Sequence, residues 1–132
     1  MRLEDLTLYQ MILIPVQNVD ESNPIWMLAK FLSSKGEHYF KLGAVIVKRG
    51  NILGFGYNSL KTHPKFGSKQ DYRTLHSEGA ALYGAHKLRN DVSGADIYIY
   101  RKNNRTSKPC SCCYKMLKKA GIKNVIYTQS EK

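Results

Sequence analysis

The sequence predicts an α/β domain in which a mixed β-sheet lies between helices, three layers deep. Three observations lead to that class. Elements alternate in the order helix, hairpin, helix, strand, helix, strand, and helix-to-strand crossovers after a hairpin build layered sheets of mixed direction. With 132 residues and 42% hydrophobic composition, the chain is long enough to bury a core as one domain over residues 1–132. No internal repeat or low-complexity linker divides it.

Residues 1–20 form an N-terminal extension in which Tyr9 to Gln17, centred on Met11-Ile12-Leu13-Ile14, suits an extra edge strand, an N-terminal helix or an oligomer contact. Pro24 to Leu32 reads as a helix with Ser22 or Asn23 as its N-cap. Leu42 to Val47 and Ile52 to Tyr57 are β-rich runs, and Lys48-Arg49-Gly50-Asn51 between them makes a hairpin. The polar, basic loop from Asn58 to Thr74 is too long for a simple connector, which is the habit of a substrate loop. A helix is predicted from Leu75 to Leu88, on the spacing of Leu75, Leu82, Ala85 and Leu88. A strand over Ala95 to Tyr100 follows, then a basic loop, a helix from Cys110 to Ala120 capped by Gly121, and a strand from Asn124 to Thr128. Cys113, Met116, Leu117 and Ala120 form that last helix's core stripe, which makes Met116 a packing residue.

Chemistry concentrates in His76-Ser77-Glu78 and in Pro109-Cys110-Ser111-Cys112-Cys113. One His and two Cys bind zinc through three ligands and leave its fourth tetrahedral position open, as a catalytic rather than a closed site requires. Cys110 and Cys113 are three apart, so a helix places both sulfurs on one face, and a helix N-terminus stabilises them as thiolates. His76 opens the preceding helix, so two helix N-termini are predicted to face one ion. A closed Cys3His knuckle would need Cys112 as its fourth ligand, yet adjacent Cys112 and Cys113 point in different directions on a helix. The odd, clustered Cys count disfavours a disulfide framework. His38 and His86 belong to no ligand-spaced set.

H-x-E followed by P-C-x-x-C resembles the signature of the zinc-dependent nucleoside, nucleotide and polynucleotide deaminases. On the matching positions the resemblance makes His76, Cys110 and Cys113 the zinc ligands and Glu78 the general acid/base. It implies the cytidine-deaminase-like fold, here in a compact version, and it covers the chain from near Leu42 to Tyr127. A His as first ligand is unlike the free-cytidine deaminases that use three Cys, and closer to the dCMP, tRNA-adenosine and DNA/RNA-editing branches. Gly56-Tyr57-Asn58 and Lys61-Thr62-His63-Pro64 resemble bacterial and phage members of the deoxycytidylate-deaminase group. That group usually reads His-Ala-Glu-Met-Asn where this chain has His-Ser-Glu-Gly-Ala. Relative to larger members, a final helix and strand are expected to be missing.

The net charge of +11 is unevenly spread. Ile97 to Ser130 contains no Asp or Glu but holds Arg101, Lys102, Arg105, Lys108, Lys115, Lys118, Lys119 and Lys123. A second acid-free span, His38 to Gln70, carries Lys41, Lys48, Arg49, Lys61, Lys65 and Lys69. Such a rim suits a phosphate backbone, although a solvated basic surface that only aids solubility has the same composition. The resemblance implies zinc-dependent deamination; charge points its cytosine substrate first to single-stranded DNA, whereas the likeness at Asn58 and Lys61-Thr62-His63-Pro64 favours the free nucleotide. Free deoxycytidylate (dCMP), adenosine in tRNA or another polynucleotide, and a non-enzymatic zinc-bearing nucleic-acid module are the alternatives. Candidate substrate-binding residues are Asn58, Thr62, His63, Tyr100, Arg101, Arg105 and Lys108. Asn58 has a second reading as an Asn-based turn. Among the aromatics Tyr57, Phe66, Tyr72 and Tyr100, one is expected to stack a base. The absence of a long apolar run, and of a basic head with an apolar core near Met1, predicts a cytoplasmic protein with no membrane partner.

Overall fold

Pro24 and Asn23 show how local chemistry starts the first helix. The Asn23 Oδ1 accepts the Ile25 N–H at 2.9 Å, and Pro24 follows at the first helical position, where its missing N–H costs nothing. The computed structural model describes residues 10–36, 41–59, 76–102 and 106–129. Within them the elements are β1 (Ile12–Val16), α1 (Pro24–Ser33), β2 (Leu42–Lys48), β3 (Asn51–Tyr57), α2 (Ser77–Lys87), β4 (Asp96–Arg101), α3 (Ser111–Ala120) and β5 (Asn124–Thr128).

The five strands form one sheet in the order β1-β5-β4-β2-β3. β2 is antiparallel to both β3 and β4, whereas β5 is parallel to both β4 and β1. Of the three readings for the N-terminal extension, the edge strand is the one found, with Ile12 opposite Asn124 and Val16 opposite Thr128. Arg49 and Gly50, with φ of 53° and 80°, form the two-residue hairpin turn whose twist matches the strands.

Alternation along the strands assigns the two faces. Ala44, Ile46, Ile97, Ile99, Val125 and Tyr127 pack with Ala81, Leu82 and Leu117, so α2 and α3 cover one side. Val45 and Tyr100, with partly buried Tyr98 and Ile126, join Trp26, Ala29 and Leu32 of α1 on the other. Trp26 meets Tyr98 edge to face, with ring centroids 5.2 Å apart. The three-layer class is therefore as predicted. One core residue is not: Leu88 is 67% exposed, because it ends α2 as its C-cap instead of continuing the apolar stripe. None of the described helices is long and apolar enough to cross a membrane.

Candidate active site

His76 and Cys110 are N-caps, each one residue ahead of its helix rather than inside it. Each has extended backbone, with ψ of 157° and 167°, and the helices proper begin at Ser77 and Ser111. The two positions still lie where each helix leaves its first N–H groups unpaired and its dipole positive. The Cys110 sulfur uses this directly, accepting the Cys113 N–H at 3.4 Å. Pro109 is buried one residue before the cap, outside the helix. At the far end of α3, Gly121 takes φ of 90° and its N–H caps the Leu117 and Lys118 carbonyls.

The His76 Nδ1 lies 3.3 Å from Cys113 Sγ and 3.7 Å from Cys110 Sγ, and the three ligand atoms fall within 4.8 Å of one another. Tetrahedral zinc with ordinary Zn–N and Zn–S bonds separates a nitrogen from a sulfur by about 3.6 Å. The observed spacings bracket that value, so the three residues fit a zinc ion between them. Cys112 is half-exposed and does not join the cluster. The two clustered sulfurs shift each other's acidity in opposite directions. The hydrogen bond from Cys113, with help from His76, lowers the Cys110 pKa to about 3. The same bond and burial push the Cys113 thiol up.

Glu78 occupies the second position of α2 and is 3% exposed. Its charge is felt by Cys113, and those of His76 and Cys110 act on it, so the carboxyl sits in the field of all three ligands. Burial raises its pKa, and the Ser77 hydroxyl, donating to Oε1 at 2.8 Å, opposes that rise. α2 itself is seated by β3, whose Gly54 and Gly56 let the backbone at Ala80 and Ala81 approach the strand directly.

Sequence reasoning missed three residues here. Ser77 is one. Ser107 and Thr128 are the others: Ser107 Oγ donates to the Ile99 carbonyl at 2.8 Å and accepts the Thr128 N–H at 2.8 Å. They anchor the segment leading to Cys110 onto the ends of β4 and β5. The only hint in the sequence is their small hydroxyls beside a ligand loop and a strand end.

The candidate substrate residues fare differently. Tyr100 is buried in the α1-side cluster, on the sheet face opposite the helices that carry the ligands. Its ring is enclosed by packing and offers no open face, which corrects the expectation that it binds or stacks a base. Asn58 is buried, and its Oδ1 accepts the Leu42 N–H at 3.0 Å, so its side chain ties the end of β3 to β2. Arg101 donates through Nη1 to the Thr106 carbonyl at 3.2 Å, and Lys108 is exposed. Thr62, His63 and Arg105 lie outside the described residues, as do Phe66 and Tyr72.

Residues 25–129 match the family described as the cytidine and deoxycytidylate deaminase zinc-binding region. The dCMP deaminase of the cyanophage S-TIM5 in its apo form is 28% identical, with 82% of each chain covered and a TM-score of 0.63. The same enzyme in complex with dCMP and dUMP is 25% identical over 83% of this chain and 82% of its own, with a TM-score of 0.59. A diaminohydroxyphosphoribosylaminopyrimidine deaminase/5-amino-6-(5-phosphoribosylamino)uracil reductase from Thermotoga maritima is 26% identical over 82% of this chain and 29% of that longer one, with a TM-score of 0.56. No curated protein sequence matches significantly. A matched region this long, spanning all three metal-site residues, shows that the chain belongs to the cytidine and deoxycytidylate deaminase family and is a zinc-dependent hydrolytic deaminase.

Proposed function

We propose that the protein deaminates the cytosine of free deoxycytidylate to uracil, with Glu78 as the proton carrier. The buried Glu78 carboxyl beside the His76, Cys110 and Cys113 cluster is the observation that carries the chemistry. Zinc, when bound, supplies Lewis acidity that brings a water's pKa to about 7. Glu78 accepts the proton that the attacking water must lose as its oxygen bonds to C4, and delivers it to the ring nitrogen N3. A second proton from that oxygen passes by the same carboxyl to the amine, which leaves as ammonia while the carbonyl forms. A carboxyl whose pKa is raised by burial suits this traffic, since it holds a proton near neutral pH more readily than an exposed one. Likeness to the cyanophage enzyme along most of both chains supports the mononucleotide. In this reading the exposed Lys108, in the segment before Cys110, meets the phosphate.

A specific observation favours single-stranded DNA as a second reading. Lys102, Lys108, Lys115, Lys118, Lys119 and Lys123 are exposed, and among the described residues the sole ion pair is Lys30 with Glu21. Such a surface attracts a phosphate backbone, with an affinity that falls steeply as salt rises. Incubating the zinc-loaded protein with dCMP, cytidine, a single-stranded oligonucleotide, duplex DNA and RNA, and counting uracil, separates the readings. Turnover of dCMP alone supports the first; turnover of the oligonucleotide alone supports the second. Glu78→Ala is expected to keep zinc while losing about 10²- to 10⁴-fold in rate. Retained turnover in that variant would reject the assignment of Glu78.

A further inference from the structure

Ser77 is a fully buried hydroxyl, at 1% exposure, between a metal-site residue and the carboxyl assigned to proton transfer. Neighbours one residue apart on a helix point about 100° away from each other, so their side chains do not ordinarily meet. Here they do. Ser77 Oγ donates to Glu78 Oε1 at 2.8 Å, and the Glu78 backbone N–H also bonds its own carboxylate. Both donors stand in the first turn of α2, directly after the N-cap His76. A long, three-torsion side chain is thereby tied to one orientation beside the cluster of ligands.

We infer that Ser77 is a positioning residue, whose hydroxyl holds the Glu78 carboxyl in the orientation from which it exchanges protons with the substrate. The inference rests on the proton-carrying role proposed for Glu78. It also gives a physical meaning to the Ser in His76-Ser77-Glu78, since the His-Ala-Glu form of the motif has no hydroxyl there. Pre-organisation of this kind acts on the chemical step and leaves ground-state binding alone. The zinc ligands are unaffected, because Ser77 donates to the carboxyl and to none of them in the described contacts.

The test compares wild type, Ser77→Ala, Glu78→Gln and the double variant, each loaded with zinc or with cobalt, on whichever cytosine substrate the wild type turns over. Ser77→Ala is expected to lower kcat about tenfold with KM within about twofold, as loss of a group that orients a catalytic side chain does. The cobalt absorption spectrum should be unchanged, which reports an intact ligand set independently of turnover. Binding of a nucleotide analogue with a tetrahedral, hydroxyl-bearing C4, measured by calorimetry, should weaken by the same factor as kcat/KM. In the Glu78→Gln background, Ser77→Ala should have no further effect on residual rate. Wild-type kcat in Ser77→Ala, a shifted cobalt spectrum, or an equal loss in the Glu78→Gln background would each overturn the inference. An inactive wild type would instead reject the proposed function itself.

Discussion

Thr128 Oγ1 donates to Ser107 Oγ at 2.9 Å, with both hydroxyls buried where β4 and β5 end side by side. The pair also closes a backbone bridge, Ser107 N–H to the Thr128 carbonyl at 2.8 Å, and Thr128 Oγ1 accepts the Arg101 N–H at 3.1 Å. Both hydroxyls and both backbone N–H groups of the pair thus hold the segment three residues before Cys110. Buried groups are cheap when paired and costly when one partner is removed.

Ser107→Ala is therefore expected to destabilise the protein by about 2–3 kcal/mol, because the Thr128 N–H and hydroxyl and the Ile99 carbonyl lose a partner together. Urea unfolding should show a lower midpoint at unchanged slope. Zinc affinity should fall as well, since the Cys110 segment loses its anchor, and competition with a chromogenic chelator measures this. A change below about 0.5 kcal/mol would mean that water or a local shift satisfies these groups.

Glu78 carries a pH signature in the metal-free protein. Burial raises its pKa, so the folded chain holds that proton more tightly than the unfolded chain, whose carboxyl keeps the ordinary value of 4.5. Its contribution to stability is then complete below that pH and is lost as pH rises toward the folded-state value. Glu78→Gln keeps the shape and an acceptor for Ser77 but cannot ionise. In chelator-treated protein it should match wild type near pH 4 and be more stable than wild type at pH 8. A difference that stays flat between those pH values would show that Glu78 is not held in a desolvated site.

The metal residues were legible in the sequence because their chemistry depends on residue type and short spacing, and His76, Cys110 and Cys113 indeed converge. β5 was legible for the same local reason, as an uninterrupted β-rich run over Asn124–Thr128. β1 was ambiguous, since what makes Ile12–Val16 a strand is a partner at the opposite end of the chain. Ser77, Ser107 and Thr128 were invisible because a hydroxyl acquires its role only from tertiary neighbours. The Tyr100 expectation failed on periodicity. Ile97 and Ile99 face α2 and α3, so Tyr98 and Tyr100 on the same strand must face α1. Closeness in sequence to the ligand loop says nothing about which side of the sheet a ring occupies.

Gly54 offers a way to move the site without touching it. A Cβ there would collide with the Ala81 carbonyl oxygen and stand 2.8 Å from Ala85 Cβ, so β3 and α2 pack backbone to backbone. Gly54→Ala must push α2 off the sheet, and overpacking of this kind costs about 1–3 kcal/mol. Because His76 caps α2 and Glu78 lies in its first turn, while the two sulfurs belong to the N-terminus of α3, the shift should also lower zinc affinity. Gly50→Ala is the control. Its φ of 80° costs about 1 kcal/mol of strain in an Ala, but a Cβ there meets nothing within 4 Å, at a turn joining β2 to β3. Thermal melting and chelator competition on both variants should show destabilisation in each and weakened zinc only in Gly54→Ala. Equal zinc affinity in the two would mean that the seating of α2 on β3 does not set the metal geometry.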